Sequence, residues 1–477
     1  MPALPAKMKV RMSSLELSAD TKGAPQENPS KVVWALAWPA VVLNGMQVLN
    51  MLLDSAFIGR LESAALLAYG ALTNVLFLLF SLAMALATAA TALVSRAYGA
   101  GQVEEFRMAS RQALSVTLAC GTILAILGAS LSPAAAQAFL PAGETRAESL
   151  MLSYLAIYSF GLPAIYLIQS LAGAMRGVGD TRSPMVISGI QILLHIALNL
   201  ILIFPPRDLG GGLTLPGYDM GLAGGALALT ISAWMAAVGY LLYAGRTALG
   251  SVWRLILPSW VWVVRIFRIA IPAAIMALLR VSSLAVFTIV LKYAKDASDA
   301  IAGMRPGFAI ESMMFMPSFG LAMAAAALVG QSLGAKNPDR AERLAWTAAH
   351  HAAIVTALLA LPIFLGADGL ANLLAQGKPS IAAETALLLR YLCVTEVGFA
   401  YAMVMMFAMQ GAGDTVRPMW ITVITLWGMR VPLTWLLALP LGLGSTGAWI
   451  AMSVTQLLQG LFAVLAFRQG KWKHKEV

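Results

Sequence analysis

Several side chains that can bind a proton or a cation lie within otherwise apolar stretches of the first half of the sequence. Asp54 is near the end of one stretch, and His195 and Asn199 are four residues apart in another. Residues four apart share one face of a helix. A carboxylic acid or an imidazole held away from water can bind and release a proton near neutral pH. We predict that this trio contains a proton or cation site with Asp54 as its main group. The alternative is a structural acid beside a neutral, hydrogen-bonded histidine.

The second half has a different set of charges inside its apolar stretches. Two bases, Arg280 and Arg430, accompany two acids, Glu311 and Glu396. Mutual pairing is the least costly way to bury opposite charges, so a structural network of ion pairs is the favoured interpretation. A site for an organic ligand or a proton is the alternative, and Glu396 is its best candidate because it comes early in its stretch.

An internal repeat indicates how the segments that carry these residues are organised. The string AMRGVGDTRSPM at 174–185 returns as AMQGAGDTVRPM at 408–419, about half the chain later. The triplet ALV at 92–94 and 327–329 keeps nearly the same separation, and so do Pro39 and Pro272. Landmarks in one register indicate a single unit that is duplicated.

The composition predicts an all-α integral membrane protein. Hydrophobic residues make up 60% of the chain and charged residues only 11%, against about a quarter charged in soluble domains. Apolar stretches of roughly 20 residues indicate membrane-spanning helices, and they lack the alternation of a β-barrel. We place twelve spans, at 32–58, 63–94, 113–139, 149–175, 184–204, 221–243, 264–291, 306–330, 345–373, 382–410, 418–441 and 445–468.

Six spans per repeat predict two six-helix lobes of the same orientation, related by an axis along the membrane normal. With both termini in the cytoplasm, most Lys and Arg fall in cytoplasmic segments. The net charge of +10 then indicates contact with the lipid bilayer rather than with nucleic acid. The predicted divisions are a polar N-terminal segment at 1–31, an N-lobe at 32–243, an amphipathic linker at 244–263, a C-lobe at 264–468 and a basic tail at 469–477.

The two repeated loops have a structural explanation. Their glycines permit tight backbone turns, and their aspartates can cap the following helices. Because the lysine and glycine spacing of phosphate-binding loops is missing, we interpret both loops as cytoplasmic hinges rather than substrate contacts. The residues concerned are Gly177, Gly179, Asp180, Gly411, Gly413 and Asp414.

Other chemistry is not indicated. Cys120 and Cys393 lie in apolar spans, which favours buried thiols over a disulfide. Catalytic and metal-binding motifs such as HExxH and GxSxG are missing, so we predict neither an enzyme nor a metal site, and no cofactor. A sensor or scaffold is disfavoured because no soluble effector domain accompanies the spans.

A set of ordered motifs resembles the multidrug and toxic compound extrusion (MATE) family. The set comprises an early proline in span 1, the motif DSxxxGR at 54–60, Gly-Ala after spans 2 and 8, and the paired GxGDT loops. The resemblance implies two lobes around a central cleft that exchange H⁺ or Na⁺ for bulky, often cationic compounds. It also implies an inner-membrane protein, and we expect a monomer. Asp54 is similar in position to the span-1 aspartate that the family ties to cation coupling.

Two departures from the family bear on the coupling ion. Where many members have Asn and then Asp in span 5, this sequence has His195 and Asn199. Arg280 stands near the place where some bacterial members have a span-7 glutamate. Fewer oxygen ligands disfavour Na⁺, so H⁺-driven export is the main prediction. Na⁺ coupling remains an alternative, as does a lipid or oligosaccharide flippase of the same superfamily, which a cleft lined by Arg280 and Arg430 would favour.

Overall fold

A computed structural model describes residues 27–141, 143–208, 214–250, 252, 254, 256–375 and 377–476. This part of the chain contains twelve helices long and apolar enough to cross a membrane. They are α1 (Pro29–Ile58), α2 (Ser63–Gly99), α3 (Val103–Phe139), α4 (Thr145–Gly177), α5 (Arg182–Leu202), α6 (Gly221–Ala244), α7 (Trp260–Leu291), α8 (Ala297–Gly334), α9 (Pro338–Leu365), α11 (Pro379–Gly411), α12 (Val416–Ala438) and α13 (Gly444–Arg468).

Three shorter features complete the fold. Helix α10 (Ala367–Leu374) is a separate short helix, and Lys471–His474 forms a turn of 3₁₀ helix. Strands β1 (Arg207–Asp208) and β2 (Thr214–Leu215) pair antiparallel between α5 and α6. Residues 1–26 of the predicted polar N-terminal segment lie outside the described residues.

Some helix ends differ from the predicted spans. A helix extends beyond its predicted span where polar residues remain helical, and it stops before the predicted end where a glycine follows. Helix α3 begins at Val103, ten residues before the predicted span, with Glu104 and Glu105 in its first turn. Acidic side chains are favourable there because they oppose the positive end of the helix dipole. The predicted ninth span at 345–373 is present as α9, but its bounds differ: α9 begins at Pro338 and ends at Leu365, and after Gly366 the chain forms the separate helix α10.

The helices of the two halves pack in the same pattern, which confirms the two-lobe, all-α fold. In the first lobe α2 packs on α3 and α4, α4 on α6, and α5 on α6. In the second lobe the equivalent contacts join α8 with α9 and α11, α11 with α13, and α12 with α13. Helices α1 and α7 connect the lobes: α1 contacts α5 and α8, and α7 contacts α12 and α2.

Equivalent ends of the two repeats meet at one face. At Gly99, the last residue of α2, a Cβ would collide with the backbone of Gln331 near the end of α8. At Gly334, the last residue of α8, a Cβ would collide with the backbone carbonyl of Arg96. The repeats are therefore parallel. This face also carries the two GxGDT loops, and we call it the loop face; the sequence predicts that it is cytoplasmic.

The predicted amphipathic linker is not helical in the part that the structure describes before Trp260. Hydrogen bonds attach it to the start of α3: Arg111 Nε donates to the carbonyl of Arg254 (3.0 Å), and Ser259 N donates to Gln112 Oε1 (3.0 Å). Leu257 and Trp260 are exposed beside these bonds. Contact of this apolar edge with lipid stays a prediction.

The basic tail folds onto the C-lobe. The ring of Trp472 is fully buried and stacks on Phe467 at 4.6 Å. Lys473 Nζ pairs with Glu342 of α9 at 2.5 Å. Arg96 of α2 donates to the carbonyl of Lys475, so the tail also contacts the other lobe.

Candidate functional site

The packing of α1 against α5 places an amide and an imidazole beside Asp54. Asn199 Nδ2 donates to Asp54 Oδ1 at 2.8 Å, and Asn50 Nδ2 donates to Oδ2 at 3.2 Å. His195 Nε2 lies 3.2 Å from Asn199 Nδ2 and 3.9 Å from Asp54 Oδ1. Each helix supplies its two polar groups at a spacing of four residues, so both pairs face the same contact. The structure thus brings together all three residues selected from the sequence.

Sequence reasoning missed Asn50, although its spacing from Asp54 repeats the spacing of His195 and Asn199. It also missed two tyrosines, Tyr69 of α2 and Tyr154 of α4, which lie within electrostatic range of the Asp54 carboxylate. The approach of the two tyrosines could not be recognised from the sequence, because α2 and α4 would first have to be placed against α1.

The environment of Asp54 is buried on one side and accessible on the other. His195 and Asn199 are 5% and 2% exposed, whereas the Asp54 side chain is 18% exposed. The carboxylate is thus more accessible than the imidazole and the Asn199 amide beside it. Bonds from N–H donors to a carboxylate are stronger in such surroundings than in water.

The trio offers few oxygen ligands to a metal cation. Both amides present nitrogen to Asp54, and the oxygens of Asn50 and Asn199 are buried without a hydrogen-bond partner in the described part of the chain. No group of three or more His, Cys, Asp and Glu suited to a metal ion occurs among these residues. A proton needs only the carboxylate, whereas Na⁺ would require the amides to turn their oxygens inward.

The four charged residues of the second lobe converge, but the direct ion pairs predicted from the sequence are not formed. Within the described ranges no Arg nitrogen lies within 4 Å of the carboxylates of Glu311 or Glu396. Gln456 Nε2 instead donates to Glu311 Oε1 at 3.3 Å, and Arg430 Nε donates to Thr455 Oγ1 at 3.0 Å. Neutral side chains therefore bind Glu311 and Arg430 in place of the predicted ion pairs.

Glu396 has an unusual position. Its side chain is 0% exposed and lies in the middle of α11 rather than early in the helix. Neither of its oxygens accepts from a donor in the described residues, and its carboxyl group lies within electrostatic range of Glu311. Two buried carboxylates this close repel each other unless one of them holds a proton.

The two arginines differ in their surroundings. Arg430 is 7% exposed and ends a π-helical segment of α12, Val423–Arg430, whose extra residue per turn directs the guanidinium to α13. Arg280 is exposed, yet its guanidinium lies 5.9 Å from the ring centre of Phe399 in α11 and within electrostatic range of Glu311 in α8. Because Phe399 and Glu311 belong to other helices of the second lobe, Arg280 faces the space between α7, α8 and α11.

The repeated loops show why their glycines differ in role. Gly179 and Gly413 have φ of +85° and +86°, which a glycine adopts without strain. The prediction that Gly177 and Gly411 also make turns is wrong, since both end helices. They allow close packing instead: a Cβ on Gly411 would collide with the carbonyl of Ala326.

The loop aspartates also differ from each other. Asp180 accepts from Ser183 N at 3.1 Å and from Ser183 Oγ at 2.7 Å, which caps the start of α5 as predicted. Asp414 pairs with Arg417 in the equivalent loop. A hinge role for either loop stays a prediction.

Comparison with known proteins assigns the family. The MatE family model matches residues 39–201 and 272–436, one stretch in each repeat and together more than half of the chain. The probable multidrug resistance protein NorM of Thermotoga maritima is 29% identical over 447 residues and 93% of each chain is covered. The protein of the same name from Bradyrhizobium diazoefficiens is 28% identical, with 91% and 92% covered.

Solved structures show the same fold. An outward-facing multidrug resistance MATE family transporter of the MOP superfamily has a TM-score of 0.84 at 22% identity, covering 94% of this chain and 98% of that one. A MOP superfamily transporter from Pyrococcus furiosus, described as having a binding pocket of reverse polarity, has a TM-score of 0.85 at 22% identity, with 96% and 99% covered. The chain therefore belongs to the MatE family and is a multi-pass membrane transporter, not an enzyme.

Proposed function

We propose that this protein exports bulky organic compounds from the cytoplasm in exchange for H⁺ that enters through Asp54. The observation that carries the proposal is the Asp54 carboxylate, partly accessible and held by the amides of Asn50 and Asn199. Relatives of similar length are named as probable multidrug resistance proteins, which supports efflux. The preference for cationic cargo comes from the family resemblance, and a monomer at the inner membrane is part of the proposal.

Contacts between the lobes at the loop face support alternating access. Gln331 Nε2 of α8 donates to the carbonyl of Gly177 in α4 at 2.9 Å, and Arg96 Nη1 of α2 donates to the carbonyl of Ala412 at 3.3 Å. In the proposed orientation these bonds close the cytoplasmic side. The cycle must break them to admit cargo from the cytoplasm.

Protonation of Asp54 can affect these contacts between the lobes through helix α1. A proton on the carboxylate removes the negative charge that both amides bind, which weakens the bonds from Asn50 and Asn199. Asn199 belongs to α5 and Asp54 to α1, and α1 also packs against α8 of the other lobe. A change in the α1–α5 contact therefore alters how the two lobes meet.

The available energy is sufficient for export. One elementary charge moving through 100 mV releases about 2.3 kcal/mol. At about 1.4 kcal/mol for each factor of ten, one proton sustains roughly a 50-fold gradient of neutral cargo. Export of a neutral compound by this mechanism therefore needs no nucleotide hydrolysis. Exchange of one H⁺ for a singly charged cation moves no net charge, so the pH difference alone drives it.

Transport in reconstituted vesicles tests the role of Asp54. Vesicles with an imposed pH gradient should accumulate a fluorescent organic cation, and Asp54→Asn should abolish this uptake. Glu62→Gln is the matched control, because Glu62 is an exposed carboxylate paired with Arg146 at 2.9 Å. Undiminished pH-driven transport by Asp54→Asn would refute the assigned role. Loss of transport on removal of Na⁺ at constant pH would establish Na⁺ as the ion instead.

A lipid or oligosaccharide flippase is the second candidate, and the exposed Arg280 favours it. A guanidinium above an aromatic ring can bind a phosphate while the ring contacts the attached group. Arg430 does not provide a second accessible positive charge for a phosphate, since it is buried and donates to Thr455. Movement of a fluorescent phospholipid between leaflets, lost in Arg280→Gln, would support this function over organic cation export.

A further inference from the structure

A small cavity lies between the lobes near the loop face. Two helices of each lobe line it: α2 and α4 from the first, α8 and α11 from the second. Equivalent positions of the repeat face each other there, since Thr88 and Thr91 of α2 correspond to Met323 and Ala326 of α8. The lining residues are Met84, Thr88, Thr91, Arg176, Met323, Ala326, Phe407 and Gly411.

Arg176 contributes a buried and unpaired positive charge to this cavity. It is 8% exposed, and its guanidinium has no hydrogen bond or ion pair with any residue that the structure describes. The titratable group in electrostatic range is Tyr240, whose hydroxyl is occupied by Ser188 (2.8 Å) and by the carbonyl of Pro184 (3.2 Å). A guanidinium stays protonated in proteins, so this charge persists.

The acids of the neighbouring loops do not neutralise Arg176. Asp180 is bound to Ser183, and Asp414 is paired with Arg417. The position equivalent to Arg176 in the second repeat is Gln410, which is 1% exposed. Its Nε2 has no hydrogen-bond partner in the described part of the chain. Both repeats therefore place an unpaired N–H donor at this point, and neither supplies an acid.

We infer that this cavity binds a small monovalent anion, either a free halide or the carboxylate end of a transported molecule. Leaving a buried cation without a counterion costs several kcal/mol, so an anion that reaches the guanidinium is stabilising. Guanidinium N–H groups form strong charge-assisted bonds with such ligands. Cations are excluded by the same charge, and the methionine and phenylalanine walls add no competing acceptor.

The location of the site makes the anion a ligand of one conformation. Its walls come from both lobes, so separation of α2 and α4 from α8 and α11 takes the site apart. A ligand that binds one state better than another shifts the equilibrium towards the first. Anion binding at Arg176 therefore stabilises the state in which the loop face is closed. The inference depends on the cavity and not on the identity of the coupling ion.

Thermal unfolding of the purified full chain tests the site without a transport assay. Potassium sulfate, whose anion is neither a halide nor a carboxylate, is replaced stepwise by potassium chloride at constant ionic strength, and the midpoint temperature is recorded. The wild type should show a saturable rise that Arg176→Gln abolishes. Arg390→Gln is the matched control, because Arg390 pairs with Asp368 at 2.6 Å on the surface, and it should keep the full rise.

A second titration with potassium benzoate distinguishes the two anion sources. Saturation by chloride alone indicates a free halide, and saturation by benzoate that competes with chloride indicates a carboxylate. Saturation by either anion supports the site if Arg176→Gln no longer shows that saturation. The inference is overturned if the wild type responds saturably to neither anion, or if Arg176→Gln responds as the wild type does.

Two further variants keep the test decisive if Arg176→Gln does not fold. Arg176→Lys retains the charge and should show a saturable response at a higher anion concentration. Met323→Glu places a carboxylate on the cavity wall, where it should replace the anion and remove the response. An unchanged anion response in Met323→Glu would contradict the inference.

Discussion

Asn199 donates from Nδ2 to Oδ1 of Asp54 at 2.8 Å across the contact between α5 and α1. The bond joins α5, which packs on α6, to α1, which also packs on α8 of the C-lobe. The same amide nitrogen lies 3.2 Å from His195 Nε2. Asn199 thus contacts both the carboxylate of Asp54 and the imidazole of His195.

Replacing Asn199 with Leu should weaken H⁺-driven transport without unfolding the protein. The change removes a buried hydrogen bond to a carboxylate, worth about 1.5–3 kcal/mol, so we expect about a tenfold or larger loss of initial rate. Uptake of a fluorescent cation into vesicles under a pH gradient measures it. The control is Asn74→Leu, because Asn74 is exposed and bonds only to the carbonyl of Gly70 in its own helix. Equal rates for both variants would contradict the prediction.

Replacing Glu396 with Gln should make thermal stability less sensitive to alkaline pH. In the wild type Glu311 and Glu396 are buried neighbours, and loss of a proton from this pair leaves two negative charges that repel each other. Stability should therefore fall as the pH rises. A glutamine amide carries no titratable proton and can donate to Glu311 at any pH. Glu396→Gln should therefore lose less thermal stability than the wild type as the pH rises. Unfolding midpoints from mildly acidic to alkaline pH test this, with the exposed Glu144→Gln as control.

Replacing Gly411 with Ala should prevent full closure of the loop face. The added methyl group would collide with the backbone carbonyl of Ala326, and a carbonyl within a packed helix has little freedom to move. Gly70→Ala is the matched control, since nothing lies within 4 Å of its added Cβ. We expect Gly411→Ala to shift the population towards a separated loop face and to slow transport.

The separation can be measured between spin labels at Glu104 of α3 and Asp339 of α9, which are exposed residues of different lobes. Native Cys120 and Cys393 would first be replaced by serine. Gly411→Ala should broaden the distance distribution towards longer values. A distribution identical to that of Gly70→Ala would show that the contact does not control closure.

Replacing Trp472 with Ala should release the C-terminal tail while leaving the membrane helices folded. The ring is fully buried, stacks on Phe467 at 4.6 Å and donates from Nε1 to the Phe467 carbonyl at 2.8 Å. Truncating a buried tryptophan costs about 3–5 kcal/mol. Faster proteolysis after Arg468 is the expected result, and the exposed Lys471→Ala should be cleaved as the wild type is.

The sequence determined the parts of the fold that are encoded in length and repetition. Apolar runs long enough for a bilayer identified the spans, and a repeated string identified two parallel lobes. The glycines at 179 and 413 were identifiable because a positive φ is a local requirement of the turn. Asp54, His195 and Asn199 were identifiable because ionisable groups are costly in a membrane and therefore conspicuous.

Only the tertiary structure decided which polar groups meet. The rotation of each helix about its axis places Asn199 against Asp54, leaves the Arg176 side chain without a partner in the described residues and separates Arg280 and Arg430 from the acids that sequence reasoning paired with them. The π-helical turn of α12 shifts Arg430 towards Thr455 in a way that no regular helical period predicts. Side-chain contacts between helices depend on packing of the whole bundle, because each helix presents polar groups on several faces and the sequence fixes only their spacing.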